Sequence, residues 1–239
     1  MMDLTDKTLT DILDDCNQAT VIFEKYRIDY CNLGRKKLHE VMPDDKAMRR
    51  LQADLADLLA NMGQSNIRYN ELEISELIDL IRTEYHEYLR QKISELTQLS
   101  QRVRLECDRP EIAQVHDQLM AIFDHLAPHM VREEKVLFPY LAYMEHTVEK
   151  GKVPRPPSFG KVKMSVSQML EEHRDSTEKL NLLAAATNHY TCPDENEPLL
   201  CEYYRELHAL DRNLRMHMHL ENNVLFEKAR AVEKRYLDN

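Results

Sequence analysis

Tryptophan is absent from this 239-residue sequence, glycine occurs only four times, and runs of β-branched residues are few. Sheet proteins draw on β-branched and aromatic residues and on glycine at their turns, so these shortages argue against a β architecture. Much of the chain consists of Leu, Ala, Glu, Lys, Arg, Gln and Met, which are strong helix formers. The composition predicts an all-α protein that is long enough to bury a core without disulfide staples.

Long hydrophobic runs are also absent. No stretch approaches the roughly 18 consecutive apolar residues of a transmembrane helix, and the acidic N-terminus lacks the apolar segment of a secretory signal. The formal net charge of -10 repels phosphate backbones. We therefore expect a protein with neither a membrane nor a nucleic acid as its partner.

Cysteine pairs of the Cys-x-x-Cys kind are missing as well. The chain has an odd number of cysteines: Cys16, Cys31, Cys107, Cys192 and Cys201. Their spacing matches neither a structural zinc site nor a disulfide framework. The cysteine pattern therefore indicates a reducing compartment and argues against a disulfide scaffold.

Helical periodicity divides the chain into two units. Residues 1–66 read as a small helical domain: Thr and Asp capping candidates open TLTDILDDCNQATVIFEKY, MPDDKAMRRLQADLADLLANMG is a second amphipathic run, and NMGQSN reads as a linker. Residues 67–239 contain four long helical patterns, at about 71–105, 111–147, 162–189 and 198–236. Four long helices with short connections predict an antiparallel four-helix bundle.

Two stretches of ten residues read alike. HMVREEKVLF begins at His129, HMHLENNVLF begins 88 residues later at His217, and six of the ten positions match. Positions i and i+4 share a face of a helix, so His129 points with Glu133, and His217 with Glu221. A single pair of this kind is usually solvated. Two copies in matching apolar frames indicate a buried site.

The other two helices each carry one histidine at a matching place. His86 precedes His129 by 43 residues, and His173 precedes His217 by 44. The chain thus repeats a unit, in which a helix with one histidine is followed by a helix with His-x-x-x-Glu. Folded as a pseudo-twofold bundle, it brings six side chains to one place in the core: His86, His129, Glu133, His173, His217 and Glu221.

This set predicts a centre for two metal ions, each held by two imidazoles and bridged by both carboxylates. Such ions lie about 3.5–4 Å apart. Nitrogen-rich ligation with oxygen bridges suits iron and, less well, manganese, and six ligands leave positions open for water, oxygen or nitric oxide. Ferritin-like bundles use Glu and Glu-x-x-His instead. The alternative is a hydrogen-bonded polar core without metal, which has to be fully satisfied to be tolerated.

Residues near the site carry further predictions. Val136 and Val224, seven residues after each histidine of the repeat, are predicted to face the core. Pro128 predicts a kink or a restart of the second helix. His125 is a candidate for a hydrogen bond to a metal ligand, and His219 is predicted to be solvated. Core filling is the prediction for four tyrosines: Tyr85, Tyr88, Tyr140 and Tyr143.

At these residues the chain resembles the hemerythrin-like cation-binding family and, within it, the di-iron proteins for repair of iron–sulfur centres, the RIC or ScdA-type group. The motifs are EYHEYL, PHMVREEKVLFP, EEHRDS and HMHLENNVLF in the bundle and FEKYRIDYCNLGRKKL before it. The resemblance covers nearly the whole chain. It implies a ScdA-like N-terminal domain, a hemerythrin-like bundle, and two non-haem irons held by the six residues named above. It also implies a cytoplasmic protein that protects or restores iron–sulfur clusters.

The N-terminal unit departs from the pattern of that group at one place. The group typically has two adjacent cysteines followed by two glycines, whereas this chain reads Cys31-Asn32-Leu33-Gly34. A role that needs vicinal thiols is therefore in doubt. Cys31 either acts as a single thiolate or is buried and inert.

The leading hypothesis is a di-iron protein that repairs iron–sulfur clusters damaged by nitric oxide or oxidants. It would supply iron, reduce nitric oxide as an enzyme, or both, with damaged iron–sulfur proteins as clients. The alternative is a hemerythrin-like sensor or store that binds oxygen or nitric oxide without turnover. Carriers of that type usually offer one more histidine, for which His125 is the only candidate. The sequence leaves the electron donor and the oligomeric state open.

Overall fold

The computed structural model of the chain describes residues 4–61 and 67–236. Within these residues the secondary structure is helical and contains no strand, which confirms the all-α prediction. The N-terminal unit consists of α1 (Leu9–Asp15), α2 (Ala19–Lys25), α3 (Tyr30–Leu33), α4 (Leu38–Val41) and α5 (Asp45–Asn61). Apart from Asn61, the linker predicted at NMGQSN lies outside the described residues.

Four long helices form the bundle, and each corresponds to one predicted pattern. Three of them contain a π-helical segment, and a short 3-10 turn (Tyr69–Glu71) precedes the first. The first bundle helix comprises α6 (Ile74–Leu80), a π-helix (Ile81–His86) and α7 (Glu87–Glu106), and the second comprises α8 (Glu111–Arg132), a π-helix (Glu133–Leu137) and α9 (Phe138–Glu149). The third is the single helix α10 (Val162–Ala186). The fourth comprises α11 (Pro198–Leu220), a π-helix (Glu221–Leu225) and α12 (Phe226–Tyr236).

The bundle helices contact one another in a closed ring. The first and the third each pack against the second and the fourth. Short connections, over residues 107–110, 150–161 and 187–197, make consecutive helices antiparallel. None of the helices in the described part of the chain has the length and apolar character needed to cross a bilayer.

Two buried glutamates cap the helices and extend the repeat over the whole bundle. Glu145, near the end of the second helix, accepts hydrogen bonds from the backbone N–H groups of Ile74 and of the next residue, at 2.6 and 2.8 Å. Glu233, near the end of the fourth helix, accepts bonds of 2.8 Å from Val162 and the residue after it. Glu145 and Glu233 are 88 residues apart, and so are Ile74 and Val162, the first residue that each of them caps. Each carboxylate satisfies free donors of a first turn and complements the helix dipole.

Replacing Glu233 by glutamine should lower the free energy of unfolding by about 1–2 kcal/mol, because a neutral amide cannot accept both backbone bonds with the strength of a carboxylate. Urea denaturation of the purified variant measures this loss. Glu149→Gln, at an exposed glutamate near the end of the second helix, is the control and should leave the unfolding midpoint unchanged. An unchanged midpoint for Glu233→Gln would contradict the capping role.

A π-helical segment corrects a one-residue mismatch in the repeat. Val162 follows Ile74 by 88 residues, but His173 follows His86 by only 87. The first helix holds its additional residue in the π-helix Ile81–His86, whereas the third helix is regular. Without that segment, one extra residue would rotate His86 about 100° away from the core.

π-Helical segments also begin at each glutamate of the repeat, and they overturn one prediction. The segment Glu133–Leu137 rotates the residues that follow relative to a regular helix. Val136 is therefore 48% exposed, contrary to prediction, and Leu137 is buried in its place. Val224 is buried as predicted, on a segment that α3 also contacts.

Two further helix boundaries differ from the predicted ones. The second helix does not restart at Pro128, because α8 continues through this residue to Arg132, while the kink predicted as the other possibility stays a prediction. The third helix ends at Ala186 rather than at residue 189, because Asn188 and the two residues after it have positive φ angles, which end a right-handed helix.

The N-terminal unit docks on the fourth bundle helix. Its segment Tyr30–Leu33 contacts α11, and buried side chains of both units belong to one hydrophobic cluster. His219, predicted to be solvated, is 1% exposed beneath this segment, and burial lowers its pKa to about 4. That prediction failed because a part of the chain distant in sequence covers this face of the helix. The run MHMHLEN, with a single charged residue, was the available signal of a helix buried on all sides.

The structure contains a disulfide, which the spacing of the cysteines did not predict. Cys192 and Cys201 form a disulfide, with their Cα atoms 4.9 Å apart. The bond joins the loop before the fourth helix to the first turn of that helix, and only the path of the loop brings the two residues together. The remaining cysteines, Cys16, Cys31 and Cys107, are free.

Candidate metal centre

The structure brings all six predicted side chains together in the bundle core, and each is at most 1% exposed. They form two adjacent groups that share both glutamates, and in each group the available ligand atoms lie within 4.8 Å of one another. The groups are His86 and His217 with Glu133 and Glu221, and His129 and His173 with the same two glutamates. The arrangement therefore has the pseudo-twofold symmetry of the sequence repeat.

Each carboxylate spans the two groups with its two oxygens. Glu133 places Oε1 3.1 Å from His129 Nε2 and Oε2 3.5 Å from His86 Nε2. Glu221 places its oxygens 3.0 and 3.2 Å from the Nε2 atoms of the remaining two histidines. Both glutamates are thus placed to bridge two sites.

The unpaired polar atoms of the centre fit bound cations. All four carboxylate oxygens of Glu133 and Glu221 are buried and accept no hydrogen bond. The Nε2 atoms of facing imidazoles lie only 3.0 Å apart in one group and 2.9 Å in the other. A buried carboxylate without compensation costs several kcal/mol, and cations between these atoms would satisfy oxygens and nitrogens together. Imidazole with carboxylate suits a transition metal better than magnesium or calcium.

The electrostatics of the cluster favour the binding of positive charge. Burial lowers the pKa of His129, but the two carboxylates of the centre outweigh burial and raise this pKa to about 9. Burial also opposes ionisation of Glu221, yet His217 and His173 hold the pKa of that carboxyl well below its usual range. The centre therefore keeps negative charge in a buried place, where it attracts a cation.

The family follows from a match over most of the bundle: the hemerythrin HHE cation binding domain matches residues 78–229. The chain belongs to this family. It is similar to the iron-sulfur cluster repair protein YtfE of Escherichia coli O1:K1 / APEC, with 28% identity over 233 residues, 95% of this chain and 98% of the relative. The protein of the same name from Citrobacter koseri is 28% identical over 235 residues, 97% of this chain and 100% of the relative. The resemblance seen at the sequence motifs is confirmed.

Three imidazoles of this hemerythrin-type centre are oriented by a hydrogen bond on the outer nitrogen. The Nδ1–H groups donate to the following acceptors: His86 to Glu134 at 2.8 Å, His129 to Glu172 at 2.6 Å, and His173 to Asn222 Oδ1 at 2.5 Å. Because the proton is held on Nδ1, each ring presents the lone pair of Nε2 to the centre, which is the tautomer that binds metal. Arg90 in turn pairs with the carboxylate of Glu134, and Arg132 pairs with that of Glu172.

The phenylalanine of the repeated motif stacks on the lone histidine of the preceding helix. Phe138 lies over His86 with ring centroids 5.8 Å apart, and Phe226 lies over His173 at 6.1 Å. Tyr85 stacks on His217 at 5.8 Å. These rings fix the imidazole planes and keep the surroundings apolar, which explains the last matched position of the repeat.

The residues that orient the imidazoles were missed by sequence reasoning. Glu134 and Asn222 each follow a glutamate of the repeat directly, so they are 88 residues apart and equivalent. That equivalence is the signal that could have found them. Glu172 directly precedes His173 and had no such signal. His125, the predicted candidate, instead lies 3.2 Å from the backbone oxygen of Glu172.

Replacing Glu134 by alanine should weaken metal binding about 10- to 100-fold, because His86 would lose the acceptor that fixes its tautomer. Competition with a chelator of known affinity measures the change. Glu87→Ala is the matched control, since Glu87 pairs with the same Arg90 at 2.7 Å from outside the centre. Equal affinity in the two variants would show that the Glu134 contact does not tune the centre.

Cys31 lies in a setting that disfavours a reactive thiolate. It is 1% exposed, its S–H donates to the backbone oxygen of Arg215 at 3.1 Å, and burial raises its pKa well above the usual range. Asn32, the next residue, donates through Nδ2 to Asp29 at 2.8 Å and to Thr177 at 3.3 Å. The second of these contacts joins the segment to the third bundle helix.

Proposed function

We propose that this chain is a cytoplasmic non-haem di-iron protein that repairs or protects iron–sulfur clusters damaged by nitric oxide or oxidative stress. The observation that carries the proposal is the pair of His–His groups that share two buried carboxylates whose oxygens accept no hydrogen bond. The similarity to proteins named for iron–sulfur cluster repair over nearly the whole chain supports the same conclusion.

The residues that would hold the two irons are His86 and His217 on one side, His129 and His173 on the other, and Glu133 and Glu221 between them. When bound, the irons would supply one-electron chemistry and open positions for nitric oxide or oxygen. The chain itself shields the site from bulk solvent, since every one of these side chains is almost fully buried. It also holds three of the imidazoles in the binding tautomer through their outer hydrogen bonds.

Two activities suit this centre: release of iron, as cargo, to a damaged cluster protein, and reduction of nitric oxide. We propose iron supply, nitric oxide reduction, or both. The test begins with iron content, for which about two irons per purified chain are expected from a bridged pair. The reduced, iron-loaded protein is then incubated with a nitric-oxide-damaged iron–sulfur enzyme, and separately with nitric oxide alone. If it neither restores the enzyme nor consumes nitric oxide, the repair proposal fails.

A second candidate is a store or sensor that binds oxygen or nitric oxide without turnover. The burial of Cys31 favours it, since a repair step that used this thiol would need access to it. The position of His125 against a backbone oxygen argues the other way, because it supplies no fifth imidazole to the centre. Repeated, fully reversible ligand binding with no product would support this second function.

The N-terminal residues 1–66 are proposed to form a small domain of their own beside the bundle of residues 67–239. Its docking on the fourth helix makes it the part of the chain best placed to affect the His173 side of the centre. Damaged iron–sulfur proteins are the proposed clients.

A further inference from the structure

Asn222 makes two hydrogen bonds of opposite sense across its side-chain amide. Its Oδ1 accepts from His173 Nδ1–H at 2.5 Å, and its Nδ2 donates to the backbone oxygen of Cys31 at 3.2 Å. Asn222 is 6% exposed and stands directly after Glu221. One side chain thus joins a candidate metal ligand to the N-terminal segment.

The equivalent residue in the other half of the bundle shows why an amide stands here. Glu134, 88 residues earlier, accepts from His86 Nδ1–H, and its second contact is the Arg90 guanidinium at 2.6 Å. A carboxylate suits that place because both of its partners are donors. At Asn222 the second partner is a carbonyl oxygen, which only accepts, so the side chain has to accept on one side and donate on the other. A neutral amide does both, whereas an ionised carboxylate only accepts.

Other contacts make the docking of this segment specific. Asn223 Nδ2 donates to the backbone oxygen of Cys31 at 3.0 Å, and Thr177, which bonds Asn32, also donates to the backbone oxygen of His173 at 2.9 Å. A Cβ added at Gly34 would overlap the Asn223 side chain, so glycine permits the close approach.

We propose that Asn222 is a positioning residue that couples docking of residues 30–34 to metal binding at His173. The inference rests on the proposed metal centre. Docking holds the Asn222 amide so that its oxygen keeps the proton on His173 Nδ1, and this presents Nε2 to the metal. By linkage, metal that fixes the His173 ring also strengthens docking of the segment, by the same factor.

The adjacent asparagines provide a matched pair of variants. Asn222→Ala removes the contacts to both His173 and the segment. Asn223→Ala removes a contact to the segment and leaves the bond between Asn222 and His173. Asn222→Asp is the second variant at the key position, because it keeps an acceptor for His173 but replaces the donor to Cys31. Circular dichroism of each variant establishes that it folds.

The readout is the rate at which a small alkylating reagent modifies Cys31, followed by peptide mass spectrometry with and without saturating ferrous iron under anaerobic conditions. Cys31 belongs to the docked segment and is buried against the fourth helix, so its modification reports opening of that segment. Iron affinity is measured in parallel by competition with a chelator. In the wild-type chain, iron should slow modification about tenfold, within the usual range of coupling between sites.

Asn223→Ala should raise the modification rate in both states and keep the roughly tenfold slowing by iron. Asn222→Ala should bind iron about 10- to 100-fold more weakly, as for other partners of metal-bound histidines, and iron at saturation should no longer slow modification. Asn222→Asp should retain more iron affinity than Asn222→Ala, but iron should no longer slow the modification of Cys31 in this variant either. If both Asn222 variants keep the wild-type response to iron, the coupling is refuted while the metal centre stands. A wild-type chain that binds no iron would overturn the proposed function together with the coupling.

Discussion

Replacing Glu221 by alanine is expected to reduce bound iron from about two ions per chain to less than one. Its carboxylate oxygens lie 3.0 Å from His217 Nε2 and 3.2 Å from His173 Nε2, so both groups lose a ligand at once. Elemental analysis of protein purified from iron-supplemented cells measures the loss. Glu133→Ala should behave in the same way, because Glu133 spans the two groups from the opposite helix.

The Glu221→Ala variant also distinguishes a metal centre from a metal-free polar core. In a structural network, breaking a buried ionic contact costs about 3–5 kcal/mol of stability. In a metal centre, the variant should lose iron, and a chelator should then leave its stability unchanged, whereas the same chelator should destabilise the iron-loaded wild type. Glu233→Ala is the matched control. It removes another buried glutamate twelve residues along the same helix and should lower stability while iron stays bound.

Removing metal from the wild-type chain is expected to lower its melting temperature by about 8–16 °C. A ligand at about 1,000 times its Kd stabilises a protein by about 4 kcal/mol, and each kcal/mol shifts the melting temperature of a chain of this size by about 2–4 °C. The physical cause is the set of facing Nε2 atoms and unbonded carboxylate oxygens that metal would satisfy. Thermal unfolding by circular dichroism, with and without a strong chelator, measures the shift.

The control for this result is a chain that lacks both bridging carboxylates, Glu133→Ala/Glu221→Ala. Its melting temperature should not respond to the chelator. A wild-type melting temperature that is equally unresponsive, with iron shown to be present beforehand and absent afterwards, would mean that the bundle is stabilised by packing alone. It would also contradict the explanation that metal stabilises the fold by satisfying the carboxylate oxygens of Glu133 and Glu221.

Much of this site could be predicted from sequence because its six residues lie on helices whose period is known. The spacing His-x-x-x-Glu places His129 and Glu133 on one face of their helix, whatever the position of that helix in the fold. The same spacing at His217 and Glu221 indicated that the two faces meet in the core. His86 was harder to place, because its spacing to His173 is one residue short of the repeat. The π-helix that absorbs the difference depends on the packing of neighbouring helices, which a period of 3.6 residues does not describe.

The sequence alone determined the helical class, the four-helix bundle and the six residues that meet in its core, because each depends on local periodicity and on a repeat within the chain. Only the tertiary structure decided what surrounds them: the π-helical rotation that exposes Val136, the burial of His219, the disulfide between Cys192 and Cys201, and the two bonds of Asn222. Each of these depends on contacts between segments whose distance in space the sequence pattern does not encode. The proposed ligand set is therefore a property of the helices, while its orientation and its link to the N-terminal unit belong to the assembled fold.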